Sequence, residues 1–126
     1  MADSSPGLCR RAQTAGALFL ALGATCGALG AHALESVMTP ERLDSWGTAS
    51  LYLLVMGAGL VGASHSSSQR LSQVALDAVW VGTVLFSFSI MGLVTLATLE
   101  VGAGWRAVLG PFTPLGGVLM IGGWLG

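Results

Sequence analysis

The chain has 126 residues, of which 53% are hydrophobic and 9% are charged, whereas soluble domains carry about 25% charged residues. The net charge is −1, and the five basic residues are scattered arginines that form no basic patch, which argues against a nucleic-acid partner. Four stretches contain no charged side chain, and each is close to the roughly 20 residues that cross a bilayer. They are residues 12–34, 45–69, 78–99 and 107–126. Four such stretches cannot be buried in a soluble protein of this length, so the sequence predicts an integral membrane protein.

The first predicted span, residues 12–34, follows a polar tail at residues 1–11 that ends in Arg10 and Arg11. These arginines and the sequence Ala31-His32-Ala33 are also typical of a secretory signal peptide. However, the apolar run is longer than a usual signal-peptide core, and three further spans follow with which it can pack. A retained first span is therefore the favoured interpretation.

Glycines recur in the predicted spans at spacings that suit close helix contact, and small residues are where helices in lipid approach each other. On span one, Gly16, Gly23 and Gly30 are seven residues apart, and Gly27 forms a GxxxG pair with Gly23. On span two, Gly59 and Ala63 form a similar pair, and on span four Gly122 and Gly126 form another. Gly116 and Gly117 of span four are also predicted to pack helices. Packing within one bundle is the favoured interpretation, and a stripe that docks against another protein is the alternative.

His32 and Glu35 are candidate functional residues at the end of span one. Their i, i+3 spacing would place both side chains on one helix face, as a proton relay or a ligand pair. A histidine stabilised by the dipole of the helix C-terminus is the favoured alternative. His65, at the start of a serine-rich link, is interpreted as a solvated side chain.

The second predicted span, residues 45–64, contains the spacing of a dinucleotide-binding fingerprint, Gly57-x-Gly59-x-x-Gly62. That fingerprint binds a pyrophosphate only at a strand-to-helix turn, whereas here it lies inside an uncharged apolar run. Its glycines are better explained by helix contact. Ahead of the span, Thr39 and Pro40 form a helix-start pattern.

The third predicted span, about residues 72–99, carries Asp77, the charge that lies deepest in the membrane. An ionisable residue in a span is a candidate transport carboxylate. The favoured interpretation is an interfacial residue or an ion pair, since Asp77 lies near a helix N-terminus and near Arg70 in sequence. The hydroxyls that can bond to backbone or to neighbouring helices are those of Thr83, Ser87 and Ser89.

The fourth predicted span, about residues 108–126, contains Pro111 and Pro114, which predict a helix break. From Pro114 onward the chain has only about 20 Å of helix, which is too short to cross a bilayer. Residues 108–112 must therefore also lie in the membrane, as a kinked or irregular entry. Broken helices form the binding sites of some transporters, but a single break without a matching second half gives that interpretation little support.

Short links between the spans predict an all-α, four-helix up-and-down bundle that forms one domain over residues 12–126. Arginines prefer the cytoplasmic or matrix side of a membrane. An N-in, C-in orientation places three arginines inside and two outside, and is therefore predicted. The inside group is Arg10, Arg11 and Arg70, and the outside group is Arg42 and Arg106.

The residues that usually carry catalysis or bind metals form no recognisable pattern. There is no zinc-ligand spacing, phosphate loop or nucleophile–base pairing, so we expect a protein that is not an enzyme and has no catalytic residue, metal or cofactor. Cys9 and Cys26 would lie roughly 25 Å apart along one helix, too far for a disulfide. We therefore expect two free thiols.

Four sequence blocks resemble those of a known family, and they occur in its order. They are Gly27-Ala-Leu-Gly-Ala-His-Ala-Leu34, Trp46-Gly-Thr-Ala-Ser-Leu-Tyr52, Gly82-Thr-Val-Leu-Phe-Ser87 and Thr113-Pro-Leu-Gly-Gly117, followed by Trp124. Over about residues 12–125 the chain resembles the small four-helix membrane proteins of domain of unknown function 423, the transmembrane protein 256-like family. The resemblance implies a bacterial or mitochondrial inner-membrane protein without an established activity, with relatives that serve as accessory subunits of respiratory complexes.

The chain departs from the family pattern where the family carries polar side chains. Tyr52 is followed by Leu53, and Met56 stands where the family has a histidine. Likewise, Phe88 interrupts the family's Ser-Gly-Ser block. If the family performs chemistry in its bundle core, the resemblance implies that this member has lost it.

These observations favour a non-catalytic subunit of a larger membrane complex, whose partners are the lipid bilayer and other membrane-protein subunits. The family resemblance implies that this complex belongs to the respiratory chain. The alternative is a stand-alone bundle that conducts protons or a small solute, with His32, Glu35 and Asp77 as its functional groups. The mitochondrial inner membrane is favoured over a bacterial cytoplasmic membrane, because the family resemblance implies it and because Arg10 and Arg11 precede an acid-poor first span.

Overall fold

The computed structural model describes residues 5–65 and 73–126, and this part of the chain contains helices and no strand. The helices are α1 (Ser5–Ala31), α2 (Pro40–Ser64), α3 (Gln73–Leu99), α4 (Ala103–Leu109) and α5 (Phe112–Leu125). Arg70, residues 1–4, most of the second link and the Cys9 side chain lie outside the described part.

Four helical segments are long and apolar enough to cross a membrane. They are Arg10–Ala31, Pro40–Ser64, Gln73–Leu99 and Ala103–Leu125, where the last combines α4 and α5. The predicted all-α architecture with four membrane-spanning helical segments is confirmed, while the N-in orientation stays a prediction. Helix α1 begins at Ser5, within the segment expected to be a polar tail, and it ends at Ala31, before the expected limit of the first span.

Helix α2 begins at Pro40 because the local sequence caps its N-terminus. The Thr39 hydroxyl accepts a hydrogen bond from the backbone N–H of Arg42 at 3.3 Å. Pro40 occupies the first turn, where a backbone N–H would have no acceptor within the helix, so that its absence in proline costs no hydrogen bond. Glu41 adds a negative charge at the positive end of the helix dipole.

The fourth span is interrupted at Gly110 and Pro111, between α4 and α5. The backbone N–H of Thr113 donates to the carbonyl of Gly110 at 3.4 Å, and that of Leu115 donates to the carbonyl of Pro111 at 3.3 Å. These bonds carry the chain through the break. Pro114 lies in the first turn of α5, where a proline removes no helical hydrogen bond. The interruption therefore precedes Pro114.

The helices pack as two hairpins, α1 with α2 and α3 with α5, which are joined mainly through α2 and α3. Helix α1 approaches α3 only lightly, and in the described residues the α1 and α5 backbones do not approach each other. The bundle is therefore open along one side, and α1 is an edge helix. The largest fully buried side chains belong to α2 and α3, and they are Leu53, Leu60, Val79, Thr83 and Ser87.

Each hairpin is closed by a pair of glycines that face each other. A Cβ built on Gly16 would lie 2.6 Å from the Gly57 carbonyl oxygen, and one built on Gly57 would lie 2.7 Å from the Gly16 carbonyl oxygen. In the second hairpin, Gly82 and Gly116 stand in the same relation, at 2.7 and 2.6 Å. Any side chain at these positions would meet backbone, so the absence of a Cβ sets how closely the helices approach.

Candidate functional site

Asp77 forms a polar cluster with Trp80 and Arg11 at one end of the bundle. Its Oδ1 accepts a hydrogen bond from the Trp80 indole Nε1–H at 2.9 Å and lies 3.7 Å from Nη2 of Arg11. The Arg11 and Asp77 side chains are 59% and 36% exposed, so the ion pair contributes at most about 1 kcal/mol to stability. Asp77 is thus an ion-pair partner across α1 and α3, while Arg70, its neighbour in sequence, lies outside the described residues.

A groove of about 540 Å³ runs between α1 and α3, next to this cluster. On α1, one end of the groove is lined by Arg10, Arg11 and Thr14. Leu22, 12 residues after Arg10, lines the groove further along the same helix. On the α3 side, the groove is bordered by Trp80 and by the apolar side chains of Val84 and Phe88. The groove therefore has a cationic end and an apolar body.

A second depression, of about 560 Å³, continues along the same side of the bundle beyond Phe88. It is lined by Cys26 of α1, Trp46 of α2, and Met91 and Thr95 of α3. None of its lining residues is charged. The two depressions therefore differ in charge. Arginines line the groove beside Asp77, whereas no charged residue lines the second depression.

His32 and Glu35 are exposed in the turn that follows α1. Because α1 ends at Ala31, they do not share a helix face as their spacing had suggested. His32 is 21 residues beyond Arg11, so it lies roughly 30 Å from the Asp77 cluster, at the opposite end of the bundle. The three candidate functional groups are therefore not brought together.

Buried hydroxyls join the helices of the core rather than lining a path through it. Ser87 Oγ, on α3, donates to the carbonyl of Ala49 on α2 at 3.0 Å. Ser89 Oγ and Thr113 Oγ1 lie 2.5 Å apart and link α3 to α5. Thr83 Oγ1 donates to a carbonyl of its own helix. Of these bonds, the one from Ser87 joins the two hairpins, and the one between Ser89 and Thr113 lies within the second hairpin.

The glycines singled out from the sequence divide into two groups. Gly16 faces α2, as do Gly23, where a Cβ would lie 2.8 Å from Leu54, and Gly30, where one would lie 2.8 Å from Trp46. Gly59 and Gly116 likewise have neighbours within 2.7 Å of a built Cβ, the first at Trp124 of α5 and the second at the α3 backbone. By contrast, Gly27 and Gly122 would meet nothing within 4 Å, and Gly117 only makes ordinary contacts with Phe86.

The outward face of α1 carries a row of alanines that no described residue covers. Ala17, Ala21, Ala24 and Ala28 are all exposed, at successive spacings of four, three and four residues. This spacing keeps them on one helix face. We call this row the alanine stripe. The alanine stripe lies on a different face of α1 from the glycines that contact α2 and from the residues that line the groove.

Several residues of these contacts were missed from the sequence. The partnership of Arg11 and Asp77 could have been found, because alternate helices of an up-and-down bundle run in the same direction and α1 and α3 start at the same membrane face. Gly82 lies in one of the family-like sequence blocks but was not assigned to helix packing, whereas the glycines of the Gly57 motif were attributed to helix contact. Gly123, whose built Cβ would lie 2.7 Å from the Ala75 carbonyl oxygen, gave no signal of its own.

In residues 5–65 and 73–126, no three His, Cys, Asp or Glu side chains lie close enough to hold a metal ion. In the same residues, the polar contacts between helices are made by hydroxyls, tryptophan N–H groups and one ion pair at an end of the bundle. Four apolar spans packed by glycine pairs define a small polytopic membrane protein. The chain belongs to the family described as "Protein of unknown function (DUF423)", whose model matches residues 26–117.

Relatives of the chain occur in a fungus and in bacteria. A UPF0382 membrane protein of Schizosaccharomyces pombe is 36% identical over 99 residues, which cover 78% of this chain and 81% of the relative. UPF0382 membrane proteins of Staphylococcus saprophyticus and Staphylococcus haemolyticus are 34% and 33% identical, over 87% and 86% of this chain and 87% and 89% of their own lengths. No solved structure matches the chain. The relatives are membrane proteins by name, and none of their names states an activity.

Proposed function

We propose that this protein is a non-catalytic accessory subunit of a larger membrane complex, and that the alanine stripe of α1 is the surface through which it binds that complex. The complex we favour belongs to the respiratory chain, in the mitochondrial inner membrane. The family resemblance supports this placement, as do Arg10 and Arg11 ahead of an acid-poor first span.

The observation that carries the proposal is the contrast between two outward helix faces. On α5, the exposed face consists of large aliphatic side chains, with Val118, Ile121 and Leu125 exposed by 66%, 62% and 84%. Such side chains suit contact with lipid. On α1, the exposed alanines from Ala17 to Ala28 form a stripe beside the exposed leucines Leu18, Leu22 and Leu29. Small residues at helix spacing let another helix approach closely, and this drives association in a bilayer where the hydrophobic effect cannot.

The position of α1 strengthens this argument. It is an edge helix of an open bundle and packs closely against α2 alone, as α5 at the other edge packs closely against α3. Its glycines Gly16, Gly23 and Gly30 are already used in that contact. A bulky substitution at Gly23 would therefore disrupt the protein itself, so a test of docking has to change the alanine stripe instead.

The proposal is tested by native electrophoresis of the tagged full chain, extracted from its own membranes in mild detergent. We expect the wild-type chain to migrate with a large assembly. The variants Ala21→Leu and Ala24→Leu should move most of the protein to the free form, because each adds a leucine to the docking face without touching α2.

A matched control is Ala58→Leu, the same change at an exposed position of α2. We expect this variant to migrate with the assembly. Thermal melting of each purified variant checks that the fold is intact. Unchanged migration of both α1 variants would contradict docking through the alanine stripe, and migration of the wild-type chain as a free protein would contradict the subunit proposal itself.

The alternative, a stand-alone proton or small-solute conductor, is favoured by one observation, the half-buried Asp77 carboxylate in the first turns of α3. Against it stand the ion pair with Arg11 and the roughly 30 Å between Asp77 and His32 along α1. Proton flux into liposomes that contain the purified chain tests this alternative. Flux that is lost in Asp77→Asn would support it, and the absence of flux in the wild-type protein would contradict it.

A further inference from the structure

We propose that the groove between α1 and α3 binds one anionic phospholipid, with the phosphate group at Arg10 and Arg11 and an acyl chain along the apolar body of the groove. This site lies on a different side of α1 from the alanine stripe, and it does not depend on the proposed function.

The dimensions of the groove fit a lipid tail. Its lining on α1 extends from Arg10 to Leu22, which is roughly 18 Å of helix and close to half the roughly 30 Å of a bilayer's hydrocarbon core. A lipid in one leaflet would thus have its headgroup at the arginines while its chain extends toward Leu22 and Phe88.

The side chains that line the groove argue against another helix as the occupant. Its apolar body is formed by large side chains, among them Leu18, Phe19 and Phe88. Close approach of a second helix in lipid is favoured by small residues. The groove therefore suits a flexible hydrocarbon chain better than a helix.

The charges at the groove's end favour an anionic headgroup. Arg10 is exposed and makes no ion pair with any residue in the described part of the chain. Arg11 is shared with Asp77 at 3.7 Å, a distance that leaves its guanidinium free to bind a second acceptor. Together, Arg10, Arg11 and Asp77 carry a net charge of +1. Guanidinium groups bind phosphate oxygens through several parallel hydrogen bonds, and Trp80 supplies the aromatic ring that is typical of a headgroup-level site.

Asp77 has a defined role in this site. The Trp80 N–H donates to its carboxylate, which lies 3.7 Å from the Arg11 guanidinium. The carboxylate also competes with a phosphate for the same guanidinium. Removing its charge should therefore strengthen lipid binding, whereas Asp77→Asn would abolish activity if Asp77 were a transport carboxylate.

The experiment is a native mass spectrometry titration of the purified full chain with phosphatidylglycerol and, separately, with phosphatidylcholine of the same acyl chains. We expect one bound phosphatidylglycerol and a clear preference for it over phosphatidylcholine. Arg10→Gln and Arg11→Gln should each weaken phosphatidylglycerol binding about fivefold, and Asp77→Asn should strengthen it by a similar factor. Arg106→Gln, whose side chain is outside the groove, should have no effect.

A second pair of variants tests the acyl-chain part of the site. Ala15→Leu and Leu18→Trp add bulk to side chains that line the groove, so we expect both to reduce lipid binding with the arginines unchanged. Ala58→Leu is the matched control, since Ala58 is exposed on α2 and lies outside the lining. Circular dichroism melting verifies that each variant is folded.

Three results would overturn the proposal. Equal binding of the two lipids by the wild-type chain would remove the headgroup argument. Equal effects of Arg10→Gln and Arg106→Gln would show a general charge effect and no site. A second copy of the chain bound in place of lipid, and lost in Leu18→Trp, would identify the groove as a protein interface.

Discussion

The glycine pair of the second hairpin predicts a large difference between two glycine-to-alanine changes on the same helix. At Gly116, a Cβ would lie 2.5 Å from the Phe86 backbone nitrogen and 2.6 Å from the Gly82 carbonyl oxygen. At Gly122, one turn and a half further along α5, a Cβ would meet nothing within 4 Å. Gly116→Ala therefore forces α3 and α5 apart, and Gly122→Ala does not.

The expected magnitude follows from these distances. Carbon atoms pack at about 3.5–4.0 Å, so α5 has to move by roughly 1 Å, which forfeits part of the dispersion energy along the whole contact. Overpacking of this kind costs about 1–3 kcal/mol, and backbone atoms as neighbours place Gly116→Ala toward the upper end. The greater helix propensity of alanine returns up to about 1 kcal/mol at both sites. The net expectation is a loss of about 2 kcal/mol at Gly116 and a change between zero and a gain of about 1 kcal/mol at Gly122.

The assay is the free energy of unfolding of the purified protein in lipid bicelles, measured by steric trapping. A loss of about 2 kcal/mol corresponds to roughly a thirtyfold change in the unfolding equilibrium constant, well within the range of the method. Equal free energies for the two variants would refute the claim that Gly116 sets the approach of α3 and α5.

The other predictions concern single hydrogen bonds and one proline, and unfolding in bicelles measures each. A double-mutant cycle of Ser89→Ala and Thr113→Val should give a coupling energy of about 0.6 kcal/mol, and at most about 1.7, because their hydroxyls are 2.5 Å apart; zero coupling would show that the bond is not formed. Trp46→Phe should cost about 0.5–1.5 kcal/mol, since its Nε1–H donates to the Cys26 carbonyl at 2.7 Å; an unchanged stability would contradict that contact. Pro114→Ala should change stability by less than about 0.5 kcal/mol, since Pro114 lies in the first turn of α5; a larger loss would mean that Pro114 maintains the interruption.

The four spans could be predicted from the sequence because uncharged runs of bilayer length have no other stable placement in a chain this short. The start of α2 could also be predicted, since Thr39 caps the helix N-terminus and Pro40 suits the first turn. The start of α1 at Ser5 could not be predicted. Hydropathy indicates which part of a helix lies in lipid, and it gives no information about a polar extension of the same helix.

The openness of the bundle could not be predicted. Short links determine which consecutive helices are neighbours, but they place no constraint on whether α1 meets the last span. That depends on the side chains at each interface. Here Trp124 reaches from α5 to Met56 of α2, with Nε1 and Sδ 3.0 Å apart, and Gly59 of α2 accommodates its ring.

The contacts of Gly23 and Gly27 show how two glycine patterns on one helix can have different outcomes. A step of seven residues turns by about 20° from a full number of turns, and a step of four by about 40°. Gly16, Gly23 and Gly30 therefore stay on the face that meets α2, while Gly27 turns away from it, and a Cβ built on Gly27 meets nothing within 4 Å. The sequence contained both patterns, and only the position of α2 distinguishes them.

The most direct test of the subunit proposal is the size of the particle that contains this chain when it is extracted from its own membrane in mild detergent. Native electrophoresis followed by mass spectrometry of the band measures this size and identifies the neighbours. We expect the 12.8 kDa chain to migrate with a much larger assembly that contains respiratory membrane subunits. Migration as a monomer or a small homo-oligomer in several mild detergents would contradict the proposal.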